Sequence, residues 1–258
     1  MNDIPAVSIF ASAIRPRLWK DFFESLKSTS VPYEVVFAGP IDIANTTVPY
    51  LAIKGSNFKY IKTENIKCAQ CYEIARRHCK GETISWIADD CEFSEDLYGK
   101  AYTFWKSLKN DTVALSIQVI EDGYKYNLKD HAFVGFDRST PMMAPVCLMS
   151  RKVMDDLGGF DRRMVAGQYE NSAIMDLYEA DGCVIPFTEG QCIIDHQKKH
   201  GKEHSFRAGY TKDREVLEYI WGKRGELLYT GKAHKKEPYS EKDILVRSQS
   251  NNNPSIWV

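Results

Sequence analysis

The stretch of sequence that decides the fold runs from residue 84 to residue 97 and reads ISWIADDCEFSEDL. Its first five residues, together with Thr83, are mostly β-branched, aromatic or small, which predicts a buried strand over 83–88. Asp89 and Asp90 follow that strand directly. Because ligands of an open α/β sheet collect at the carboxyl ends of its strands, this acidic pair is a candidate binding site.

Two interpretations of the acidic pair are open. Adjacent carboxylates repel each other by about 1 kcal/mol in water and about 4 kcal/mol at an effective dielectric of about 20, and a divalent cation would turn this repulsion into attraction. Carboxylate oxygens suit Mg²⁺ or Mn²⁺. The alternative is a helix start, because Ser94, Glu95 and Asp96 precede a helical pattern over 97–108 and acidic residues favour that end of a helix. The buried strand before the pair favours the metal site.

On either side of this stretch, strand and helix patterns alternate. Residues 6–11 and 34–38 read as strands, and residues 16–26 have apolar side chains at helical spacing after Pro16, which suits a first-turn position. This strand–helix–strand order predicts a parallel sheet. Further strands are predicted at 58–61, 113–120, 146–149, 184–186 and 192–194, and further helices at 71–77, 151–157, 174–180 and 216–221. No repeat or linker divides the chain, so a single α/β domain is expected.

Composition limits the function classes. The 258 residues are 43% hydrophobic and 27% charged, the usual mix for a globular protein with its own core. The formal net charge of -1 argues against nucleic-acid binding, which needs a basic face. The N-terminus has no signal-peptide pattern and no stretch reaches the ~18 apolar residues of a membrane span, so we expect no span and a cytoplasmic protein.

The seven cysteines also have two interpretations. Cys68 and Cys71 form a C-x-x-C pair, with His78 and Cys79 further on, which would suit zinc or redox chemistry. No second C-x-x-C pair is present in the sequence. We therefore favour small apolar residues on one helix, with mostly free thiols in a reducing compartment.

Four ordered segments resemble the GT-A-fold glycosyltransferases, especially family 2. Residues 84–97 are similar to their D-x-D region, residues 67–82 to the helix and glycine before it, and residues 7–16 to their first strand and nucleotide-facing turn. Residues 149–161, which include GGFD at 158–161, resemble the G-G-F-D segment on the acceptor side. The resemblance covers roughly residues 6–200. It implies an α/β GT-A fold, a nucleotide-diphospho-sugar transferase-like Rossmann-type sheet flanked by helices, in a single domain.

The resemblance also implies domain limits. The GT-A domain is expected over 1–232, with a nucleotide-binding half over about 1–95 and an acceptor-side half over about 96–232. Residues 233–258 are expected to form a C-terminal extension that packs on the surface or on another subunit of a homo-oligomer.

The same resemblance assigns ligand-binding residues. Asp90 is expected to hold Mn²⁺ or Mg²⁺ together with His196, which follows an apolar strand as the late metal-binding histidine of GT-A enzymes does. Asp89 is expected to bind the ribose or the sugar. The residues expected to line the nucleotide are Ser12, Arg15, Lys67 and Gln70.

One position departs from the family pattern. Shortly after G-G-F-D the family has Glu-Asp, whose Asp is the general base of inverting members, whereas this chain has Glu170 and Asn171. An asparagine amide cannot abstract a proton, but a glutamate can. Glu170 is therefore the candidate base, with a solvated helix start as its alternative interpretation, and Asn171 is a candidate contact to donor or acceptor.

These residues and the resemblance predict an enzyme, a metal-dependent glycosyltransferase of hexosyltransferase type. Its donor would be a UDP- or GDP-sugar, and its acceptor a hydroxyl of a glycan, lipid or small molecule. Inversion is the family default, although Asn171 leaves retention open. Asn171 also supports an alternative, a catalytically weak nucleotide-sugar-binding protein on the same fold. A sugar nucleotidyltransferase is less favoured because residues 12–16 contain no glycine.

Overall fold

The computed structural model describes residues 4–43, 58–64, 66–126, 144–195, 207–221 and 236–244. The strands in these ranges are β1 Val7–Ser12, β2 Tyr33–Gly39, β3 Phe58–Lys62, β4 Thr83–Trp86, β5 Glu92–Phe93, β6 Val113–Glu121, β7 Tyr124–Lys125, β8 Cys147–Ser150 and β9 Cys183–Ile194. They form one mixed sheet in the order β3-β2-β1-β4-β8-β6-β9-β5, with β7 paired to β6.

Helices surround this sheet. They are α1 Trp19–Leu26, α2 Cys68–Arg77, α3 Leu97–Ser107, α4 Arg151–Asp156, α5 Tyr169–Glu179, α6 Arg207–Trp221 and α7 Glu241–Ile244, with a short 3-10 helix at Pro16–Leu18 before α1. In the part of the chain that the structure describes, none of them has both the length and the apolar character that a bilayer crossing requires.

The strand order creates a crevice beside β4. Strand β1 is parallel to both β2 and β4, and β2 is parallel to β3, which confirms the predicted parallel sheet. The chain moves outward from β1 to β3 and then returns through α2 to β4 on the other side of β1. Between β1 and β4 lies a topological switch point, and ligands of open α/β sheets bind outside the carboxyl ends of the strands at such points. Asp89 and Asp90 follow β4 into this crevice.

The second half of the sheet mixes strand directions. Strand β8 is antiparallel to β4 and to β6, whereas β6 is parallel to β9. The sheet is therefore parallel on the side of β1 and mixed beyond β4, and the predicted α/β architecture is confirmed.

The largest differences from the predicted bounds are in β9, α5 and α6. Residues 184–186 and 192–194 belong to one strand, β9, because β6 pairs along its whole length with one irregularity after Phe187, where pairing resumes at Gln191. Helix α5 begins at Tyr169 instead of residue 174, directly after Gln168 with φ of 60°. Helix α6 begins at Arg207 instead of residue 216. The sequence periodicity detected only the apolar parts of these elements.

Helix α1 is held against the sheet by aromatic side chains. Its buried face consists of Trp19, Phe22, Phe23 and Leu26, at the spacing of a helix with one apolar side. The ring of Trp19 lies 5.2 Å from that of Phe37 in β2, measured between centroids. Because Trp19 is fully buried, its indole N–H has a fixed direction. This N–H donates a hydrogen bond to Asp89, which follows β4.

The GGFD turn packs on a buried ion-pair cluster. Glu73 in α2 is fully buried and accepts hydrogen bonds from Arg76 and Arg77 at 2.8 Å and from the Phe160 backbone N–H at 3.2 Å. Gly159 has φ of 73°, and a Cβ atom there would lie 2.5 Å from Glu73 Oε2. Position 159 therefore favours glycine for two reasons: its backbone is left-handed, and a side chain there would collide with Glu73.

We expect Gly159→Ala to destabilise the fold more than Gly158→Ala. Both glycines have a left-handed backbone, which costs an alanine about 1–2 kcal/mol. Only Gly159 faces the Glu73 carboxylate, whereas the nearest atom to a Cβ at Gly158 is Pro238 Cβ at 3.7 Å. Urea denaturation of the two variants measures the difference in unfolding free energy. Equal losses would mean that the turn shifts without disturbing Glu73.

Residues 236–244 pack on the body of the domain. Pro238 forms an isolated β-bridge with Asp161, the last residue of the GGFD turn. Arg77 of α2 pairs with Glu241 at 2.5 Å. Lys236 pairs with Asp176 of α5 at 2.6 Å. Part of the segment predicted as an extension thus contacts both α2 and α5, while the predicted boundary at residue 232 stays a prediction.

Candidate active site

Asp89 is the centre of the hydrogen-bonding network at the carboxyl end of β4. Its buried carboxylate accepts from the backbone N–H groups of Ile14 and Arg15 at 2.8 Å each and from Trp19 Nε1 at 3.3 Å. Arg15 adds Nε at 2.6 Å and a second guanidinium nitrogen. These contacts fix the turn after β1 against the end of β4. In this structure Asp89 anchors that turn, and its contact to a ribose or sugar stays a prediction.

Arg15 joins the two carboxylates of the acidic pair. One guanidinium nitrogen lies 3.1 Å from Asp90 Oδ2, while the others contact Asp89. Burial would lower the pKa of Arg15, but the nearby charges of Asp89 and Asp90 outweigh burial and raise it. The side chain is 21% exposed, so the cluster borders solvent. The repulsion expected between Asp89 and Asp90 is thus offset by a cation from the chain itself.

The described residues fit a divalent cation only in part. Asp90 offers the hard oxygen ligand that Mg²⁺ or Mn²⁺ prefers. Asp89 already accepts five hydrogen-bonding or ionic contacts. No group of three His, Cys, Asp or Glu side chains that could hold a metal occurs among the described residues, and His196 lies outside them. The assignment of Asp90 and His196 as ligands therefore stays a prediction.

Tyr72 connects the end of β4 to the start of α5. Its hydroxyl donates to the Ile87 carbonyl at 2.6 Å, two residues before Asp89. Its ring centroid lies 4.6 Å from that of Tyr169, the first residue of α5. Tyr72 therefore links the segment that carries Asp89 and Asp90 to the helix that carries Glu170 and Asn171, and the expectation that both pairs face one crevice stays a prediction.

Glu170 has the properties of a general base. Its Oε2 atom is buried and has no hydrogen-bond partner among the described residues. Burial raises the pKa of Glu170 to about 7, a hydrogen bond from its own backbone N–H opposes this rise, and the charge of Asp213 adds to it. A carboxylate with a pKa near neutral pH is well matched to proton abstraction.

Asn171 is held in one orientation. Its Nδ2 donates to Gln168 Oε1 at 2.6 Å, and Gln168 is the residue directly before α5. Its Oδ1 is buried and has no hydrogen-bond partner within the described ranges. Asn171 therefore presents a fixed acceptor beside Glu170, whose binding of donor or acceptor stays a prediction.

The remaining predicted nucleotide-binding residues lie in different places. Ser12 is the last residue of β1, and its hydroxyl lowers the pKa values of the Cys68 and Cys71 thiols, against the effect of burial. Lys67 is exposed and lies directly before α2. Gln70 points to the C-terminal segment instead, because its Nε2 donates to the Asp243 carbonyl at 2.5 Å. The binding of a nucleotide by Ser12, Lys67 and Gln70 stays a prediction.

The C-x-x-C pair lies at the start of α2, as the favoured interpretation expects. Burial raises the pKa of Cys68 to about 12, and the negative charges of Glu170 and Asp89 raise it further although Ser12 opposes the shift. Burial also raises the pKa of Cys71. These values favour protonated thiols over thiolates, so this part of α2 lacks the character of a reactive redox pair.

Sequence reasoning missed three residues that build the site: Trp19, Tyr72 and Asp213. Trp19 and Tyr72 carry the helical pattern of core residues, and nothing in that pattern indicates that their polar atoms reach the end of β4. Asp213 lies in a polar stretch of α6 and is fully buried. A buried carboxylate on a polar helix has no local sequence signal, because its partners are distant backbone amides.

Solved glycosyltransferase structures resemble this chain. No protein-family model and no curated protein matches the sequence. The S. aureus TarS 1-349 structure in complex with UDP-GlcNAc has 14% identity and a TM-score of 0.61, and the match covers 77% of this chain and 60% of that one. GalNAc-T7 with UDP, GalNAc and Mn²⁺ has 14% identity and a TM-score of 0.60, covering 86% of this chain and 49% of that one. A longer S. aureus TarS structure has 13% identity and a TM-score of 0.59, covering 73% and 36%.

These similarities establish the fold. The chain has the GT-A fold and resembles family 2 glycosyltransferases in architecture, as the sequence predicts. The matches span between 36% and 60% of the lengths of these three structures. At identities of 13–14%, these similarities show a shared fold and do not by themselves show a shared activity.

Proposed function

We propose that this protein is a glycosyltransferase that moves a sugar from a nucleotide-sugar donor to an acceptor hydroxyl. The observation that carries this proposal is the position of Glu170. Its partly buried carboxylate, with a pKa of about 7, belongs to the second residue of α5, and the preceding Tyr169 packs on Tyr72, whose hydroxyl binds the Ile87 carbonyl near the end of β4. The solved relatives that bind UDP-GlcNAc, or UDP with GalNAc, support the same class of donor.

The end of β4 would bind the donor. Asp89 holds the turn after β1 through two backbone N–H groups, so the donor meets a preformed surface. Arg15 contributes a cation at the edge of this surface and is partly exposed. The leaving group of a nucleotide-sugar donor is a diphosphate, whose developing charge such a cation stabilises. Arg15 therefore has two roles in the proposal, ion pairing with the acidic pair and attraction of the diphosphate.

Glu170 would activate the acceptor. Above pH 7 its carboxylate can accept the proton of the attacking hydroxyl, whose oxygen then forms the new bond to the anomeric carbon as the bond to the diphosphate breaks. The nucleoside diphosphate leaves with the electron pair of that bond. A single displacement of this kind inverts the anomeric centre, so we propose an inverting hexosyltransferase.

Asp90, together with His196, is proposed to hold Mn²⁺ or Mg²⁺. When bound there, a divalent cation would supply further positive charge for the diphosphate. Support comes from the oxygen chemistry of Asp90 and from the Mn²⁺ named with the GalNAc-T7 structure. Acceptors of the proposed reaction are glycan, lipid or small-molecule hydroxyls, and the donor is a UDP- or GDP-sugar. We propose a cytoplasmic location on the sequence features alone.

A second candidate function is donor binding with little turnover. The observation that favours it is the asparagine at position 171, whose fully buried amide donates to Gln168 and cannot act as a base. The two candidates differ in whether the sugar leaves the donor.

Release of nucleoside diphosphate separates the two candidates. The protein is incubated with Mn²⁺ and, in separate reactions, UDP-glucose, UDP-GlcNAc, UDP-GalNAc or GDP-mannose, and free UDP or GDP is quantified. A glycosyltransferase is expected to release one of them above the rate of the Glu170→Gln variant. Thermal stabilisation by a donor without release would favour the binding protein. If no donor in the panel stabilises the protein and none releases its nucleoside diphosphate, the result would contradict both candidate functions.

A further inference from the structure

Asp213 binds a loop that the proposed chemistry depends on. Its carboxylate is fully buried in α6 and accepts hydrogen bonds from three consecutive backbone N–H groups. The donors are Val165 at 2.7 Å to Oδ1, and Ala166 at 2.7 Å and Gly167 at 2.6 Å, both to Oδ2. Hydrogen bonds from amides to an ionised acceptor are among the stronger ones in proteins.

The loop held by Asp213 fixes two helix starts. The Val165 carbonyl accepts from the backbone N–H of Ala69 at 3.2 Å, in the first turn of α2. After Gly167 comes Gln168, whose φ of 60° turns the chain into α5, and Glu170 is the second residue of that helix. A shift of the 165–167 loop would therefore change where Glu170 points.

We propose that Asp213 is a positioning residue that sets the place of the Glu170 carboxyl group by holding the 165–167 loop and that also acts on this group through its own negative charge. This assignment rests on the proposed function in one respect, namely that Glu170 is the general base. Asp213 itself touches no reacting atom in this proposal.

The groups around Glu170 make Asp213 the main electrostatic partner. Cys68 and Tyr72 face it from α2, Tyr169 precedes it on α5, and Asp213 faces it from α6. Burial raises the pKa values of the thiol and of both phenols, which favours their neutral forms. Asp213 is the carboxylate whose charge raises the pKa of Glu170 in addition to burial. Removing this charge should lower that pKa.

Stability measurements report the charge state of Glu170 without any substrate. Because its folded pKa of about 7 lies above the value of about 4.3 in an unfolded chain, its contribution to stability is fully present below the unfolded pKa and is lost as the pH rises through about 7. Glu170→Gln removes this dependence. The difference in unfolding free energy between the wild-type protein and the Glu170→Gln variant, measured from pH 4 to pH 8.5, therefore shows an inflection at the Glu170 pKa.

The test repeats this comparison in an Asp213→Asn background. We expect the inflection to move to lower pH by about half a unit or more, since a neighbouring carboxylate has been removed. Transfer should fall, and its acid limb should move in the same direction. The matched control is Asp161→Asn, another buried carboxylate that accepts backbone N–H groups, from Arg163 at 2.9 Å and Glu237 at 3.2 Å. The control should lose stability but leave the inflection in place.

An unmoved inflection in Asp213→Asn would overturn the proposal, because Asp213 would then be structural in the same sense as Asp161. If Asp213→Asn does not fold, Asp213→Glu replaces it, since this variant keeps the charge and lengthens the side chain by one methylene. In that variant we expect slower transfer and a displaced inflection. A wild-type transfer rate together with a wild-type inflection pH in Asp213→Glu would also overturn the proposal. Full transfer by Glu170→Gln would instead refute the base, while the stability comparison still tests the coupling.

Discussion

Replacing Glu170 with glutamine is expected to lower sugar transfer by about 10²–10⁴, the usual contribution of a general base. Glutamine keeps the size and the hydrogen-bonding capacity of the side chain but cannot take the acceptor proton. The wild-type rate should rise with pH through about 7, where Glu170 loses its proton, and this rise should disappear in the variant. Product formation at several pH values, with saturating donor, measures both effects.

The matched control for this prediction is Glu179→Gln. Glu179 is the last residue of the same helix and is exposed, so the variant makes the same chemical change far from the crevice. It should keep wild-type transfer, and both variants should keep donor binding. Transfer within a few-fold of wild type in Glu170→Gln would point to a retaining mechanism or to another carboxylate as the base.

Asp90→Asn is expected to reduce turnover by about a hundredfold or more, provided that a cation at this residue supplies several kcal/mol to the departure of the diphosphate. The variant should also lose the additional thermal stabilisation that Mn²⁺ gives in the presence of UDP. Asp90 is 1% exposed and lies 3.1 Å from Arg15, so the change removes both a candidate metal ligand and one ion pair.

Glu95→Gln serves as the control for Asp90→Asn. It removes one negative charge from an exposed position in the same segment and should change neither turnover nor the response to Mn²⁺. Unaltered Mn²⁺-dependent stabilisation together with unaltered turnover in Asp90→Asn would contradict its role as a ligand. Lost turnover with an intact Mn²⁺ response would assign the effect to the Arg15 ion pair.

Much of the fold could be predicted because it rests on local patterns. The apolar run 83–88 and the helical spacing of Trp19, Phe22 and Phe23 each report burial directly, and parallel pairing follows from their order along the chain. Strand β9 is the counterexample. Its middle, between Phe187 and Gln191, departs from regular pairing, so alternation is interrupted and the sequence suggests two short strands.

The sequence indicated candidate site residues, but it did not indicate which groups hydrogen-bond with them. Asp89 could be found because a carboxylate after a buried strand is conspicuous. The hydrogen-bond donors to its carboxylate could not be predicted, since two of them are backbone N–H groups 74 and 75 residues away in sequence. The start of α5 was misplaced for a similar reason. It depends on the left-handed backbone of Gln168 and on Asp213, whose bonds to the preceding loop span 46–48 residues.

The packing of residues 236–244 has a consequence for the order in which the molecule assembles during synthesis. A ribosome makes the chain from its N-terminus, and domains generally fold as units as they emerge. Arg77 and Asp176 must wait for Glu241 and Lys236, their partners at 2.5 Å and 2.6 Å, which are translated 164 and 60 residues later. Gln70 likewise meets the Asp243 carbonyl only then. The outer surfaces of α2 and α5 can therefore reach their final arrangement only after residues 236–244 have left the exit tunnel.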